Sequence, residues 1–230
     1  MKIEKLRKII EKNPELVNLK IKGVKKSYNF SVDRLDAIIY EFVEWVRDKN
    51  VWEKNVFEEA FKLGKEIALE YFLTINEIER ISESLSGIAG FFIAGMCRIM
   101  NNDDIAYFRV KKGISGLGYK HKHGKIVVEG SRLLYLGMYM EGGEIVVRGN
   151  VTNYLGRGMK GGKIIVEGNA RNWVGYEMKG GKIVIKGSAG DVIGRKMEGG
   201  EIVIDGNAGS WIGDDATGGI IRVLHSFSSY

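Results

Sequence analysis

Between Gly124 and Val223 the chain repeats itself at a fixed period: Gly124, Gly143, Gly162, Gly181, Gly200 and Gly219 stand 19 residues apart, with no insertion or deletion. The clearest copies read GGEIVVRGN, GGKIIVEGN, GGKIVIKGS and GGEIVIDGN, each followed by a glycine-closed segment (YLG, WVG, VIG or WIG). Self-similarity at a short fixed period means stacked units, each burying its apolar face only against its neighbours.

Within one copy, Lys125 to Glu129 alternates, so Ile126 and Val128 point one way while Lys125, Val127 and Glu129 point the other. Carried down the column, this gives two aliphatic ladders, Ile126–Ile145–Ile164–Ile183–Ile202–Ile221 and Val128–Val147–Val166–Ile185–Ile204–Val223, which belong inside. A second line, Leu136, Leu155, Val174, Ile193 and Ile212, is closed by glycines, and a third is Met140, Met159, Met178 and Met197. Asn and Ser recur at a corner, at 131, 150, 169, 188, 207 and 226, where each side chain can bond its counterpart one coil away. Two or three short strands per coil with glycine turns between them predict a parallel β-helix. Parallel crossovers are right-handed, and 19 is not a multiple of the six-residue period of left-handed helices, so the expected hand is right. Gly118 stands one period before Gly137, which predicts a partial coil ahead of the first full one.

The outward positions carry a second pattern. Glu129, Arg148, Glu167, Lys186 and Asp205 alternate in sign, which stabilises each rung against its neighbours and fixes the register. Between them and the column Lys125, Glu144, Lys163, Lys182, Glu201 runs an aliphatic stripe, Val127, Val146, Ile165, Val184 and Val203, ~19 Å long at the spacing of strands in a sheet. Such a stripe should not face water. Either the N-terminal helices lie across it or a partner protein does, and it is the candidate interaction surface.

Residues 1–105 read as a helical domain and 106–230 as the β-helix, an α+β chain overall. Ile3, Leu6, Ile9 and Ile10 share a helical face that Pro14 terminates, and residues 16–30 read as a hairpin or loop. Helical spacing recurs from Asp33 to Asn50 and from Glu53 to Tyr71. Thr74 and Glu77 form a capping box that opens a third helix, expected to run to Met100. Its apolar half, GIAGFFIAGMC, is shorter than the ~20 residues that span a bilayer. Its small residues, Gly87, Ala89, Gly90, Ala94 and Gly95, would admit another backbone closely, whether a partner's or the first coil's.

Composition narrows the function classes. Thirty-two glycines with one proline exclude collagen. The single cysteine, Cys97, makes no internal disulfide, and the start MKIEKLRKII lacks a signal peptide's apolar core, so a cytoplasmic location is expected. The net charge of +6 comes from residues 106–230, but the cations are interspersed with acids, so neither nucleic acid nor membrane is an expected partner. Few Gln, Cys and His among many Lys, Ile and Glu resembles a thermophile's composition.

Motifs with chemistry are few. GRGMKG has the spacing G-x-G-x-x-G but leads into a strand, with no helix N-terminus for a pyrophosphate. GISGL around Ser115 lacks the second flanking glycine of a nucleophile elbow. His121 and His123 are weak metal candidates without a third ligand nearby, and KHKHG reads as an exposed basic loop. No cofactor and no catalytic residue are expected. Tyr135, Tyr154, Trp173 and Trp211 share one column, and either fill the coil or present an aromatic strip.

The repeats, sharpest in AGDVIGRKMEGGEIVIDGNAGSWIG, resemble the GXGXG β-helix at the C-terminus of the glutamate synthase large subunit and the related β-helical subunit of formylmethanofuran dehydrogenase. The resemblance covers residues 113–224 and not the helical front. It implies a structural platform packed against catalytic domains, and so a non-catalytic assembly subunit docking other subunits of an oxidoreductase complex. Self-association through the last edge, Ile220 to His225, and a small enzyme site at the helix/β-helix junction using Ser115, His121 or His123 are the alternatives.

Overall fold

A computed structural model describes residues 34–47, 49–50, 53 and 55–225. The expected helix before Pro14 and the hairpin or loop at 16–30 lie outside the described residues. Helix α1, Arg34–Arg47, falls in a first compact unit; the chain from Lys49 onward forms a second.

In the second unit, helix α2 spans Val56–Glu70 and buries Val56, Ala60, Phe61, Leu63 and Ile67, the face its spacing predicts. Helix α3, Ile75–Glu83, opens on the Thr74–Glu77 capping box: Glu77 N–H donates to Thr74 Oγ1 at 3.4 Å and Thr74 N–H to Glu77 Oε2 at 2.9 Å. The helix expected to continue to Met100 is broken. Ser84, Ser86 and Gly87 compete poorly for helix, and Gly87, at φ +64°, instead pairs with the chain at Ile114. Its N–H donates to Gly113 O at 2.9 Å and its carbonyl accepts from Ser115 N–H at 2.7 Å. Helix α4, Ala89–Met96, then resumes and is buried on every side, followed by a 3₁₀ turn at Cys97–Ile99.

The small residues of α4 serve two neighbours within the chain. A Cβ on Gly95 would lie 2.0 Å from Phe61 O of α2, whereas one on Gly90 would lie 2.3 Å from Ser115 O of the first coil. Without side chains there, α4 is wedged between helix and β-helix. Phe57 stacks on Phe91 at 4.2 Å, Phe61 meets Tyr119 edge-on at 5.3 Å, and Glu58 accepts from Tyr119 Oη and Lys120 Nζ, each at 2.8 Å.

The strands are β1 Ile105–Val110, β2 Ile114–Ser115, β3 Lys125–Gly130, β4 Leu133–Leu134, β5 Glu144–Arg148, β6 Lys163–Val166, β7 Lys182–Ile185, β8 Glu201–Ile204 and β9 Ile220–Val223. The main sheet runs β1-β3-β5-β6-β7-β8-β9, every pair parallel. From β3 onward each residue faces the one 19 later, as Ile126 faces Ile145. The coil expected ahead of the first full one contributes β1 at a 20-residue offset, Ala106 facing Ile126. A second line comprises β2, β4 and bridges through Val151, Ala170, Ala189 and Ala208. This is the parallel β-helix that the period predicts.

Both strand ladders are buried from Ile126 to Ile204, as are Leu136, Leu155, Val174 and Ile193 and the four methionines. The glycines closing the Leu136, Leu155, Val174 and Ile193 column make room for that core as well as turning the chain. Gly156, at φ +64°, would place a Cβ 2.5 Å from Ile183 Cδ1. The corner side chains bond across coils, though to backbone: Asn150 Oδ1 accepts from Asn169 N–H at 2.8 Å, and Asn169 Oδ1 from Ser188 N–H at 2.7 Å. A parallel ladder, Asn153, Asn172, Asp191 and Ser210, does the same with links of 3.2, 3.0 and 2.8 Å. Among the described residues, no helix is long and apolar enough to cross a membrane.

Candidate functional site

The aliphatic stripe follows from period-two alternation in five successive parallel strands, which puts Val127, Val146, Ile165, Val184 and Val203 on the outer face in register. The N-terminal helices cover its first end. α3 packs against β1, Glu79 Oε1 accepts from Tyr107 N–H at 2.6 Å, and Val127 is left 4% exposed. There Glu79, Arg80, Glu83, Tyr107, Arg109 and Glu129 line a cavity of about 260 Å³. Beyond it, Val146, Ile165, Val184 and Val203 remain half-buried.

Charge frames the stripe on both sides. Along one edge, Glu129 pairs with Arg109 at 3.4 Å and Arg148 at 3.2 Å, and Lys186 with Asp205 at 3.0 Å. Along the other, Lys125 pairs with Glu144 and Lys182 with Glu201, both at 2.8 Å, and Arg222 also reaches Glu201. Lys163 breaks the pattern. Its register neighbours are Lys182 and a Glu144 that Lys125 already engages, so an exposed cation stands beside Ile165. The face is therefore apolar down its centre and neutralised along most of its margins, with Lys163 and Glu167 exposed on the two sides of Ile165 at mid-length.

The histidine candidates are separated by their environments. His123 is exposed, with Nδ1 3.0 Å from Asn102 Oδ1. His121 is 3% exposed, not part of an exposed basic loop as its lysine-rich surroundings suggest. The period explains this, because His121 lies 19 residues before Met140 and occupies the first rung of the buried methionine column. A Cβ on Gly143 would lie 2.7 Å from His121 Nε2, just as one on Gly162 would lie 2.7 Å from Met140 Cε. Nε2 stands 3.2 Å from Gly124 O, a carbonyl that can only accept, so the proton sits on Nε2. Burial depresses its pKa to about 4, with Arg98 and His123 adding repulsion, against the bond to Gly124. Such a ring is neutral near pH 7 and packs where a methionine otherwise would. Among the described residues, no group of three His, Cys, Asp or Glu side chains comes together as a ligand set.

The aromatic column forms a continuous stack on the outside of the coils: Tyr135 on Tyr154 at 4.9 Å, and Tyr154 on Trp173 at 5.6 Å. It presents a strip and does not fill the coil, and Phe57 of α2 extends it from Tyr135 at 6.0 Å. Each member has positive φ, +52° at Tyr135, +62° at Tyr154 and +64° at Trp173. Arg157 lies 5.8 Å from the Tyr154 ring and 5.2 Å from that of Tyr176.

Residues 106–230, more than half of the chain, match the family model described as the GXGXG motif. No curated protein matches the chain at a significant level.

Proposed function

The chain belongs to the GXGXG motif family, and from that premise we propose that it is a non-catalytic assembly subunit whose β-helix docks other subunits of an oxidoreductase complex of the glutamate synthase or formylmethanofuran dehydrogenase kind. The observation that carries this reading is the stripe from Val146 to Val203. It is aliphatic, only half-buried, and bounded by side chains most of whose charges are already matched along the sheet. A partner strand or helix laid along it buries apolar area while stranding few charges, which is how the centre of a stable interface differs from its rim. Lys163 and Glu167, exposed on opposite margins at mid-length, favour an acidic and a basic residue opposite them.

Copurification from the native host tests the reading. Val146→Glu with Val184→Glu places two charges on the stripe while leaving the inward ladders intact. Loss of the co-eluting oxidoreductase subunits, with thermal unfolding within a few degrees of wild type, is the expected result. A protein recovered without partners, or a variant that keeps them, overturns it.

A second reading has its own observation. At the last rung both charged columns give way to apolar residues, Ile220 after Glu201 and Leu224 after Asp205, and these are 50% and 59% exposed. Edge strands that stay monomeric usually carry charge; β9 keeps a single one, Arg222, which Glu201 already engages, so its edge still suits pairing with a second copy. Sedimentation of the purified chain decides: a monomer at high micromolar concentration refutes this reading and leaves the first untouched.

A further inference from the structure

The aromatic column has one missing member. Tyr135, Tyr154 and Trp173 stack one on the next, with Phe57 tilted against Tyr135, the next position is Val192, and the column resumes at Trp211. Two coils separate the two tryptophans, ~9.6 Å at the spacing of parallel strands. That is twice the 4.9 Å between Tyr135 and Tyr154, so the gap has the thickness of one ring. A cavity of about 330 Å³ occupies it, lined by Trp173, Val192, Arg195, Trp211 and Asp214.

Two further observations define the slot. Val192 takes φ +62°, within the range of +52° to +64° shared by Tyr135, Tyr154, Trp173 and Trp211, so the backbone delivers its side chain to the position that carries a ring on the neighbouring coils. A short valine side chain thus floors a position that rings fill on either side. The sides of the gap are also organised: Arg195 lies 5.8 Å from the Trp173 ring, with Nε 3.1 Å from Asp214 and a terminal nitrogen 3.6 Å from Asp215.

We propose that the slot between Trp173 and Trp211 receives one aromatic side chain of a partner protein, which completes the stack as the missing rung. This rests on the docking reading above and adds a second contact to it. A ring centred in the gap would stand ~4.8 Å from each indole, within the range of favourable aromatic pairs. Arg195 is engaged by Asp214 and Asp215, so no cation is left for an anionic guest and the slot suits an uncharged ring. A polypeptide is the fitting source because two walls and a floor do not enclose a free ligand, whose sites bury most of its surface. A ring carried on a protein needs only the slot, since neighbouring contacts supply the remaining affinity, and Tyr and Trp seated in such pockets are the usual anchors of interfaces.

The test titrates the full chain with N-acetyl-tyrosinamide and follows the indole N–H resonances by nuclear magnetic resonance. Trp173 and Trp211 are expected to shift saturably in the millimolar range while Trp45 does not, and N-acetyl-alaninamide is expected to move none of them. Val192→Tyr, which fills the slot from within, and Trp211→Ala, which removes a wall on the exposed last coil, should each abolish the shift; Val192→Gly should retain it. No saturable shift in the wild type, or full binding by Val192→Tyr, overturns the proposal. Adenosine bound in preference to the capped tyrosine also overturns it, in favour of a free heteroaromatic ligand. Failure here with copurification intact removes the slot and leaves the docking reading, whereas a protein that copurifies with nothing removes both.

Discussion

At its first coils the β-helix is closed by α2, α3 and α4, and at its last no element among the described residues covers it. Near the start, Ile114, Leu117, Val127 and Leu133 are all under 5% exposed, whereas Ile212 at the end is 46% exposed and Trp211 67%. The repeat sequence is nearly constant between them, so the difference comes from what is stacked on each end. A coil in mid-array has neighbours on both sides, and a terminal coil must find a cover from outside the repeat. Helix α4 is that cover at one end, seated through glycines whose Cβ positions are occupied by another backbone. The other end presents Ile220 and Leu224 where earlier rungs carry charge.

The largest expected effect breaks this comparison directly. Gly95→Ala would drive a methyl to within 2.0 Å of Phe61 O, and because the obstacle is backbone, α2 and α4 must separate. Overpacking of this kind costs about 3 kcal/mol. Gly213→Ala, on the open coil, meets nothing nearer than Ile221 Cδ1 at 3.8 Å and carries only the left-handed penalty of its φ of +71°, ~1 kcal/mol. Urea denaturation of the two variants should separate them by about that ratio. Equal losses would mean that the cap is not what holds the first coils.

His121 gives the next effect, and it too belongs to the closed end. The folded protein binds a proton there near pH 4 and the unfolded chain near the ordinary histidine value of 6.5. Between those values the unfolded chain holds more protons, so stability is full above pH 6.5 and falls as the pH drops toward 4, by up to about 3 kcal/mol. His121→Met restores the residue type of the rest of the column and should remove this slope while preserving stability at neutral pH. Unfolding midpoints from pH 7 to 4 provide the check, and a slope unchanged in the variant would assign the acid sensitivity elsewhere.

The same residue shows how far the sequence could be read. The inward ladders, strand register and aliphatic stripe were legible because a 19-residue period turns one alternation into five independent statements of the same geometry. That period extended back one step places His121 under Met140; its lysine-rich neighbourhood points to exposure, and the column position outweighs it. The break between α3 and α4 was harder to see. The apolar pattern runs through Ser84–Ile88 at helical spacing, and although Ser84, Ser86 and Gly87 weaken the helix there, the pairing of Gly87 with Ile114 that fixes the break is a contact that local sequence does not encode. The missing rung at Val192 was visible as a column position, but its meaning required the stacking distances on either side. The cap resisted reading most, since its seating depends on individual backbone approaches at Gly64, Gly90 and Gly95 and not on any periodicity.

The smallest effects compare polar contacts at the two ends. At the closed end, Glu58 joins helix to coil. Burial pushes its pKa up, but hydrogen bonds from Lys120 and Tyr119 and the Lys120 charge outweigh it and hold the carboxyl below its usual value. Glu58→Gln keeps the shape and removes the charge, so the cost is that of a partly exposed charged bond, about 1 kcal/mol, and it should shrink as the pH falls through the depressed carboxyl pKa. On the open half, Lys186 and Asp205 lie 3.0 Å apart with the lysine side chain more than half exposed. Lys186→Ala should cost no more than ~0.5 kcal/mol, and less in high salt. Thermal melts in low and high salt separate the cases: a loss at Glu58 that outlasts salt, through its two hydrogen bonds, beside a vanishing one at Lys186 means that polar contacts matter most where they join helix to coil. Equal losses would place the strength of the β-helix in its charge ladders, and the open end would then need no partner to explain its stability.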